Sequence, residues 1–248
     1  MVAIRTKGLT KRYKNIVAVD GLDLEIYQGE LFSLLGVNGA GKTTAIKMLS
    51  CITRPTAGDA FVGGYSVVKE SNQVKRCIGV SPQETAVAPN LSVKENLELI
   101  CGIYGFSKEK TKEKIVELTE QFSLNTVLRR KAGKLSGGWQ RRVSIAMALI
   151  CEPEILFLDE PTLGLDVLAR YDLWEVIRSL KGNVTIVLTT HYMEEAETLS
   201  DRIGIMKNGK LLAVGTTTAL KEKANADSVE AAFVSIVRGE EGKDDDVC

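Results

Sequence analysis

Residues 36–44 read Gly36-Val37-Asn38-Gly39-Ala40-Gly41-Lys42-Thr43-Thr44. They follow an apolar run at 31–35 and precede a helical pattern at 45–49. A strand, a glycine loop and a helix in this order form the context of a phosphate-binding loop. Glycines let consecutive backbone N–H groups curl around an anion, and the helix start adds its positive end. The stretch therefore predicts that the chain binds a nucleoside triphosphate.

Two side chains of this loop indicate its chemistry. Lys42 can place a compact positive charge on the β- and γ-phosphates, and Thr43 can offer its hydroxyl to Mg²⁺. The alternative is a flexible glycine turn. A chance match to the pattern in a chain of this length is roughly a one-in-a-hundred event, so we predict a phosphate site.

Length and composition limit the classes of protein to consider. The 248 residues are 44% hydrophobic, which suits one domain with an inserted lobe or two small domains. A formal net charge of +0 argues against a broad nucleic-acid-binding surface. No apolar run approaches the roughly 18 residues of a membrane span, and the first residues lack a signal-peptide pattern. The five cysteines are odd in number and scattered, which predicts reduced thiols in a cytosolic protein.

A second anchor is the run Glu154-Ile155-Leu156-Phe157-Leu158-Asp159-Glu160-Pro161. Its four consecutive apolar residues predict a strand buried on both faces of a parallel sheet. Ligands of such sheets bind at the carboxyl ends of strands, where Asp159 and Glu160 stand. Asp159 is a candidate to hold Mg²⁺ through water, and Glu160 is a candidate general base for the attacking water. The alternative, an acidic capping turn before Pro161, is the weaker interpretation because a phosphate loop lies upstream.

Three further positions are ambiguous when each is taken alone. Tyr13 lies in a basic turn and is either a surface tyrosine or a platform on which an adenine stacks. Gln83 follows a short apolar run at 78–80 and is either a solvated loop residue or part of a site. His191 is the only histidine and follows a buried run at 184–188, a position that suits a structural role and a functional role equally.

A serine and two glycines precede another helical pattern, in the segment Leu135-Ser136-Gly137-Gly138. Such a helix start makes an anion site by the same physics as the phosphate loop. The alternative is an ordinary N-cap serine followed by flexible glycines.

Periodicity divides the chain into regions. Residues 1–35 predict short strands with turns, and residues 54–80 predict turns and one short strand. Residues 84–150 show helical spacing, with a capping box at 92–95, and predict a helical lobe inserted into an α/β domain. Asn208-Gly209 predicts a hairpin. A short helix is expected over 228–238, followed by a disordered acidic tail.

In this order, the motifs resemble those of one family, the nucleotide-binding subunit of ATP-binding cassette (ABC) transporters. Segment 135–138 matches the family's own signature, whereas the phosphate loop and the run at 155–160 are shared by many NTPases. The resemblance covers residues 1–238. It implies an α/β fold with a RecA-like P-loop NTPase core (1–83 and 151–222), a mainly parallel sheet, an N-terminal antiparallel β subdomain, an inserted α-helical subdomain (84–150), a C-terminal helix (228–238) and a tail (239–248).

The resemblance also implies roles within one subunit. Tyr13 would stack on the adenine of ATP. The phosphates would lie against the loop residues Gly36, Val37, Asn38, Gly39, Ala40, Gly41, Lys42 and Thr44. Thr43 and Gln83 would ligate Mg²⁺, and Asp159 would support it. The catalytic residues would be Lys42, Glu160, which activates water, and His191, which contacts the γ-phosphate.

A second subunit would complete each site. Ser136, Gly137 and Gly138 would bind the γ-phosphate of ATP held by the opposite subunit, so two chains would pack head to tail around two ATP molecules. Trp139 departs from the glutamine or methionine that the family usually has there. This departure bears on lobe packing more than on phosphate binding.

The segment at 190–197 looks like that of exporters with a separate permease chain. The implied partners are a multi-span membrane permease and a second nucleotide-binding subunit, identical or not, without nucleic acid. The implied location is the cytoplasmic face of the cell membrane. We expect the apolar loop at 84–91 and residues 93–97 to border a groove for a permease helix. The alternative is a soluble ABC-type ATPase acting on nucleic acid or ribosomes.

Overall fold

The computed structural model describes the backbone of residues 1–244 and the side chains of residues 1–239. Its strands are β1 (Val2–Tyr13), β2 (Ile16–Tyr27), β3 (Leu31–Leu35), β4 (Ala57–Val62), β5 (Tyr65–Ser66), β6 (Ile78–Ser81), β7 (Ile155–Asp159), β8 (Thr185–Thr190), β9 (Arg202–Lys207) and β10 (Lys210–Gly215). Its helices are α1 (Lys42–Leu49), α2 (Ser71–Cys77), α3 (Val93–Ile103), α4 (Lys108–Gln121), α5 (Gly137–Ala148), α6 (Val167–Leu180), α7 (Met193–Leu199), α8 (Thr217–Ala224) and α9 (Val229–Asp244).

The main sheet has six strands in the order β10-β9-β3-β8-β7-β6. The pairs β9–β3, β3–β8, β8–β7 and β7–β6 are parallel, and β10 pairs antiparallel with β9. Strands β3, β7 and β8 are buried along their whole length, as a sheet covered on both faces requires. The predicted α/β class with a mainly parallel sheet is confirmed.

Alternate side chains of one strand enter two different cores. On β7, Leu156 and Leu158 pack with α5 and α6, whereas Ile155 and Phe157 pack with α1 and the antiparallel sheet. This alternation is the two-residue period of a strand. The carboxyl ends of β3, β7 and β8 thereby meet at one edge of the main sheet, which is where the candidate residues follow.

The N-terminal region forms longer strands than the sequence predicted. Instead of short strands with turns, β1 and β2 are twelve residues each and pair antiparallel along their length. Residues 54–80, predicted as turns with one short strand, also contain β4, β5 and α2. Register shifts interrupt the β1–β2 pairing. These irregularities weaken the two-residue alternation in the sequence, which explains why the strands read as short.

All the secondary-structure elements between β6 and β7 are helices: α3, α4, two 3₁₀ turns and α5. The predicted capping box begins α3, because Ser92 accepts from the Glu95 backbone N–H and donates its own N–H to the Glu95 carboxylate at 2.7 Å. Asn208 and Gly209 both have positive φ between β9 and β10, as a tight hairpin turn requires.

The C-terminal helix differs from its predicted bounds. It was expected over 228–238 with a disordered tail from 239, but α9 begins at Val229 and continues to Asp244. Glutamate and lysine favour helix and no proline interrupts this part, so the helix passes through two glycines. The remainder of the predicted tail, residues 245–248, lies outside the described residues. Over residues 1–244, none of the helices has both the length and the apolar character that crossing a membrane takes.

Candidate functional site

The glycine loop joins β3 to α1 and leaves no room for side chains at two positions. A Cβ on Gly36 would lie 2.5 Å from the carbonyl oxygen of Met206, and one on Gly41 would lie 2.3 Å from that of Ala18. Gly41 also has φ of 104° and is the N-cap of α1. The backbone can therefore curl here only with glycine, and it places the amino end of α1 at the edge of the sheet.

Three charged or titratable side chains meet beside the loop. Lys42 Nζ lies 3.2 Å from Glu160 Oε1, and His191 Nδ1 lies 2.7 Å from Glu160 Oε2. Lys42 and Glu160 are 5% exposed, so water screens their attraction poorly. Lys42 also donates to the carbonyl oxygens of Gly36 at 2.7 Å and Val37 at 3.2 Å. Glu160 is thus contacted on both carboxylate oxygens.

The backbone of Glu160 is strained in a way that aims its side chain at the cavity. Its φ is +49°, in the left-handed region that non-glycine residues rarely adopt. Its N–H donates to the Thr189 carbonyl at 3.1 Å and to the Thr189 hydroxyl at 3.0 Å. Such strain persists where surrounding contacts hold it, and it concentrates at functional sites. Sequence reasoning missed Thr189, although its place two residues before His191 was a usable signal.

Hard oxygen donors meet at the base of the loop. Asp159 Oδ1 accepts from the Thr43 hydroxyl at 3.0 Å and from the Thr189 hydroxyl at 2.5 Å. A buried carboxylate beside a hydroxyl is a donor set that suits Mg²⁺, which takes one or two protein oxygens and keeps its waters. Thr43 and Asp159 therefore fit the predicted ion, and Gln83 lies on the same cavity wall.

The loop opens onto a cavity of about 590 Å³, a size typical of small-molecule sites. The described residues that line it are Ile16, Val17, Ala18, Asn38, Gly39, Ala40, Gly41, Lys42, Thr43, Thr44, Gln83, Glu160, Leu163, His191 and Asn208. Tyr13 is not in this set. It pairs with Ile16 across the β1–β2 hairpin, and Lys11 Nζ lies 5.0 Å from the centre of its ring.

The glycine-rich segment Ser136-Gly137-Gly138 lies away from this cavity. It begins α5 and, with Trp139, Arg142, Ala169 and Asp172, lines a separate shallow depression of about 70 Å³. Ser136 is the N-cap residue, but within the described chain its side chain makes no capping hydrogen bond. A Cβ on Gly138 would lie 3.0 Å from Cβ of Ala169. The first turn of α5 therefore presents backbone N–H groups and an exposed hydroxyl at a depression that the residues of the phosphate loop do not line.

The groove expected beside the loop at 84–91 stays a prediction, although two side chains expected to border it lie in the core. Val93 and Leu97 are fully buried, and Val87 packs against the same core. These three side chains therefore hold the loop and the start of α3 against their own helical region. Large apolar side chains are exposed farther along, at Leu99 and Ile103 of α3 and at Tyr104 just after its end.

A buried carboxyl group interacts electrostatically with Glu160 of the site. Glu195 on α7 is fully buried, and the Trp174 indole N–H donates to its Oε1 at 3.0 Å. Among the described residues, its Oε2 has no hydrogen-bond partner. Burial raises the pKa of Glu195, the hydrogen bond from Trp174 opposes that shift, and the Glu160 carboxylate adds to it. Folding therefore disfavours the ionised form of Glu195 relative to the unfolded chain.

Glu195→Gln should therefore stabilise the protein at pH 8. A raised folded-state pKa means that the stabilisation is full below the unfolded pKa of about 4.3 and is lost as pH rises through the folded pKa. Glutamine cannot ionise, so we expect the variant to melt about 3 °C above wild type at pH 8. At pH 5 we expect the two proteins to melt at the same temperature. Circular dichroism melts at both pH values measure this. Glu197→Gln, an exposed position on the same helix, is the control, and a lower melting temperature for Glu195→Gln at pH 8 would contradict the assignment.

The chain is similar to known proteins in both sequence and structure. The model of the family described as ABC transporter matches residues 19–163. The doxorubicin resistance ATP-binding protein DrrA of Mycobacterium tuberculosis is 43% identical over 226 residues, which cover 90% of this chain and 68% of that protein. A solved ATP-binding subunit of an ABC transporter has a TM-score of 0.84 at 28% identity, covering 95% of this chain and 99% of that chain. A cassette solved as a dimer in a post-hydrolysis state with ADP and Pi has a TM-score of 0.77 at 29% identity, covering 86% and 98%.

Proposed function

The chain belongs to the ABC transporter family, and on that basis we propose that this ATP-binding subunit drives a separate membrane permease in export. It is an ATPase of the family's cassette type. The observation that carries the proposal is the meeting of Lys42, Glu160 and His191 at the wall of the cavity that the glycine loop borders.

ATP binding begins with an exchange of partners at Lys42. The ammonium now donates to two loop carbonyls and lies against Glu160. Phosphate oxygens are stronger acceptors than carbonyl oxygens because they are charged. When the β- and γ-phosphates enter the loop, Lys42 turns toward them and Glu160 Oε1 is released. ATP binding thereby frees the Glu160 carboxylate to act as the base in hydrolysis.

Hydrolysis then needs a base beside the γ-phosphate. A water oxygen attacks the γ-phosphorus, the bond from that phosphorus to the bridging oxygen breaks, and ADP leaves with the bonding electrons. Glu160 accepts the proton that the water loses, and His191 holds the other carboxylate oxygen so that the group stays aimed. Thr43 and Asp159, with Gln83, would hold Mg²⁺, which neutralises charge on the phosphate oxygens when it is bound.

We propose that two subunits share each ATP. The support is the position of Ser136, Gly137 and Gly138, which form a helix start at a depression separate from the cavity of their own chain. An anion held by another chain would meet backbone N–H groups, a hydroxyl and the positive helix end there. The dimeric state of the neighbour with ADP and Pi supports the same arrangement.

Ser136→Arg should leave ATP binding to the cavity of its own chain intact and block ATP-driven dimerisation, because a long side chain would fill the shallow depression. We expect the dimer dissociation constant to rise by about two powers of ten. Light scattering with ATP in a Glu160→Gln background measures this. Ser179→Arg, on the exposed face of α6, is the control, and a Ser136→Arg protein that still dimerises would exclude the shared site.

Export, the permease and the location are the finer parts of the proposal. They are supported by the doxorubicin-resistance name of the DrrA relative and by the apolar side chains exposed on α3. We propose that residues 84–150 move as a lobe that contacts the permease and holds the subunit at the cytoplasmic face of the membrane. Affinity purification from detergent-solubilised membranes should recover a multi-span chain. Recovery of the subunit from the cytosolic fraction without such a chain would contradict this part.

A further inference from the structure

Helix α5 is joined to the loop after β6 by a buried arginine. Arg141 Nη1 donates to the carbonyl oxygen of Pro82 at 2.5 Å, and its Nη2 donates to that of Gln83 at 2.6 Å. The planar guanidinium thus grips two consecutive peptide groups with both of its terminal nitrogens. A two-pronged contact of this kind fixes orientation as well as distance.

Weaker contacts continue the join on either side. Ser144 on α5 lies 2.9 Å from Ser81 through their hydroxyl groups, and Thr85 donates to the Gln140 side chain at 3.4 Å. Ser144 lies three residues after Arg141 and four after Gln140, so it neighbours both of them on the surface of α5. The loop from 81 to 85 is therefore fastened along one face of α5, and Arg141 makes the two contacts to Pro82 and Gln83.

The burial of Arg141 is costly. The residue is 4% exposed, and among the described residues its guanidinium forms no ion pair. Burial lowers the pKa of Arg141, against the more distant carboxylates of Asp159 and Glu195. Taking a charged group out of water costs free energy unless its hydrogen-bonding groups find partners. The position of its two acceptors offers another reason for its presence.

Arg141 connects two segments that would contact different ATP molecules. Gln83 lines the cavity of its own chain, and Ser136-Gly137-Gly138 begins the helix that carries Arg141. We propose that Arg141 is a positioning residue that makes the Gln83 loop and α5 move as one body. A shift of Gln83 toward its own γ-phosphate is then passed to the surface that meets the partner's ATP. This inference rests on the proposed function of the Gln83 and Ser136 segments.

Trp139 provides a reporter on α5 itself. It is half-buried, and the Arg142 guanidinium lies 5.0 Å from the centre of its ring. The other tryptophan of the chain, Trp174, is 1% exposed and bonded to Glu195. The magnesium complex of a non-hydrolysable ATP analogue should change Trp139 emission at protein concentrations where light scattering shows a monomer. Trp139→Phe identifies the source of that change.

Arg141→Met removes both donors and keeps most of the side-chain volume. We expect it to bind the analogue as wild type does, while the change in Trp139 emission falls about tenfold, as loss of two charge-assisted hydrogen bonds allows. Arg178→Met is the matched control, because Arg178 is exposed and its bond is to Glu175 on its own helix. If Arg141 only stabilised the fold, Arg141→Met would have a lower melting temperature. Its analogue binding and its change in Trp139 emission would then fall together.

The outcomes separate two failures. If wild type does not bind the analogue, the proposed function fails. If it binds but Trp139 emission does not change, or if Arg141→Met keeps the full change, the positioning role is overturned. Should Arg141→Met unfold, Arg141→Lys decides the question. Its single ammonium cannot grip both carbonyls, so we expect most of the change to be lost, and a full wild-type change would overturn the two-pronged join.

Discussion

Glu160→Gln is expected to lower kcat for ATP hydrolysis by about two to four powers of ten while ATP affinity stays near wild type. The amide keeps the size of the side chain and can still accept from His191, but it cannot take a proton from water. The position explains the size of the effect, since Glu160 is the carboxylate between Lys42 and His191 at the cavity wall. Steady-state phosphate release and equilibrium ATP titration measure the two quantities.

The same variant should accumulate an ATP-bound dimer, because hydrolysis would normally separate the subunits. Size-exclusion chromatography with light scattering detects that species. Glu154→Gln is the matched control, since Glu154 immediately precedes the same strand at its opposite end and is exposed. Near-normal ATPase activity in purified Glu160→Gln would rule out Glu160 as the base.

Lys42→Ala is expected to weaken ATP binding itself, raising Kd about tenfold to a hundredfold, the range for hydrogen bonds to a charged group. The substitution removes the buried cation that meets the phosphates. It also removes the donor to the carbonyls of Gly36 and Val37, so the loop loses its internal brace. Equilibrium titration with a fluorescent ATP analogue measures the affinity.

Lys47→Ala on the exposed face of α1 is the control for Lys42→Ala, and its Kd should equal that of wild type. Thermal melts of both variants separate loss of the cation from loss of the fold. Unchanged affinity in a folded Lys42→Ala protein would mean that the loop does not hold the phosphates.

Local signals predicted the parts of the site that depend on neighbours in sequence. The glycine loop lies between a strand and a helix as predicted, because its small residues, its apolar flank and its helix start are contiguous. The capping box at Ser92 and the turn at Asn208 followed from side chains within four residues of each other. The apolar run at 155–158 was sufficient to predict a strand buried on both faces.

Candidates that depended on long-range packing were less predictable. The stacking of Tyr13 on the adenine stays a prediction, because the cavity is lined by its hairpin partner Ile16 and not by Tyr13 itself. Val93 and Leu97 were expected to border a groove and are instead core residues. Arg141 was not among the predicted candidates, because an arginine one residue from another arginine on a helix gives no local signal of burial.

Local patterns of residue types were sufficient to predict the phosphate loop, the parallel-sheet class and the acidic pair at a strand end. The contacts of Glu160 with Lys42 and His191 arise from long-range packing. Strands β3, β8 and β7 are neighbours in the sheet, so the residues that follow them meet at one edge although they are far apart in the chain. Which strands become neighbours depends on the summed packing of the whole core, and a local pattern does not contain that information.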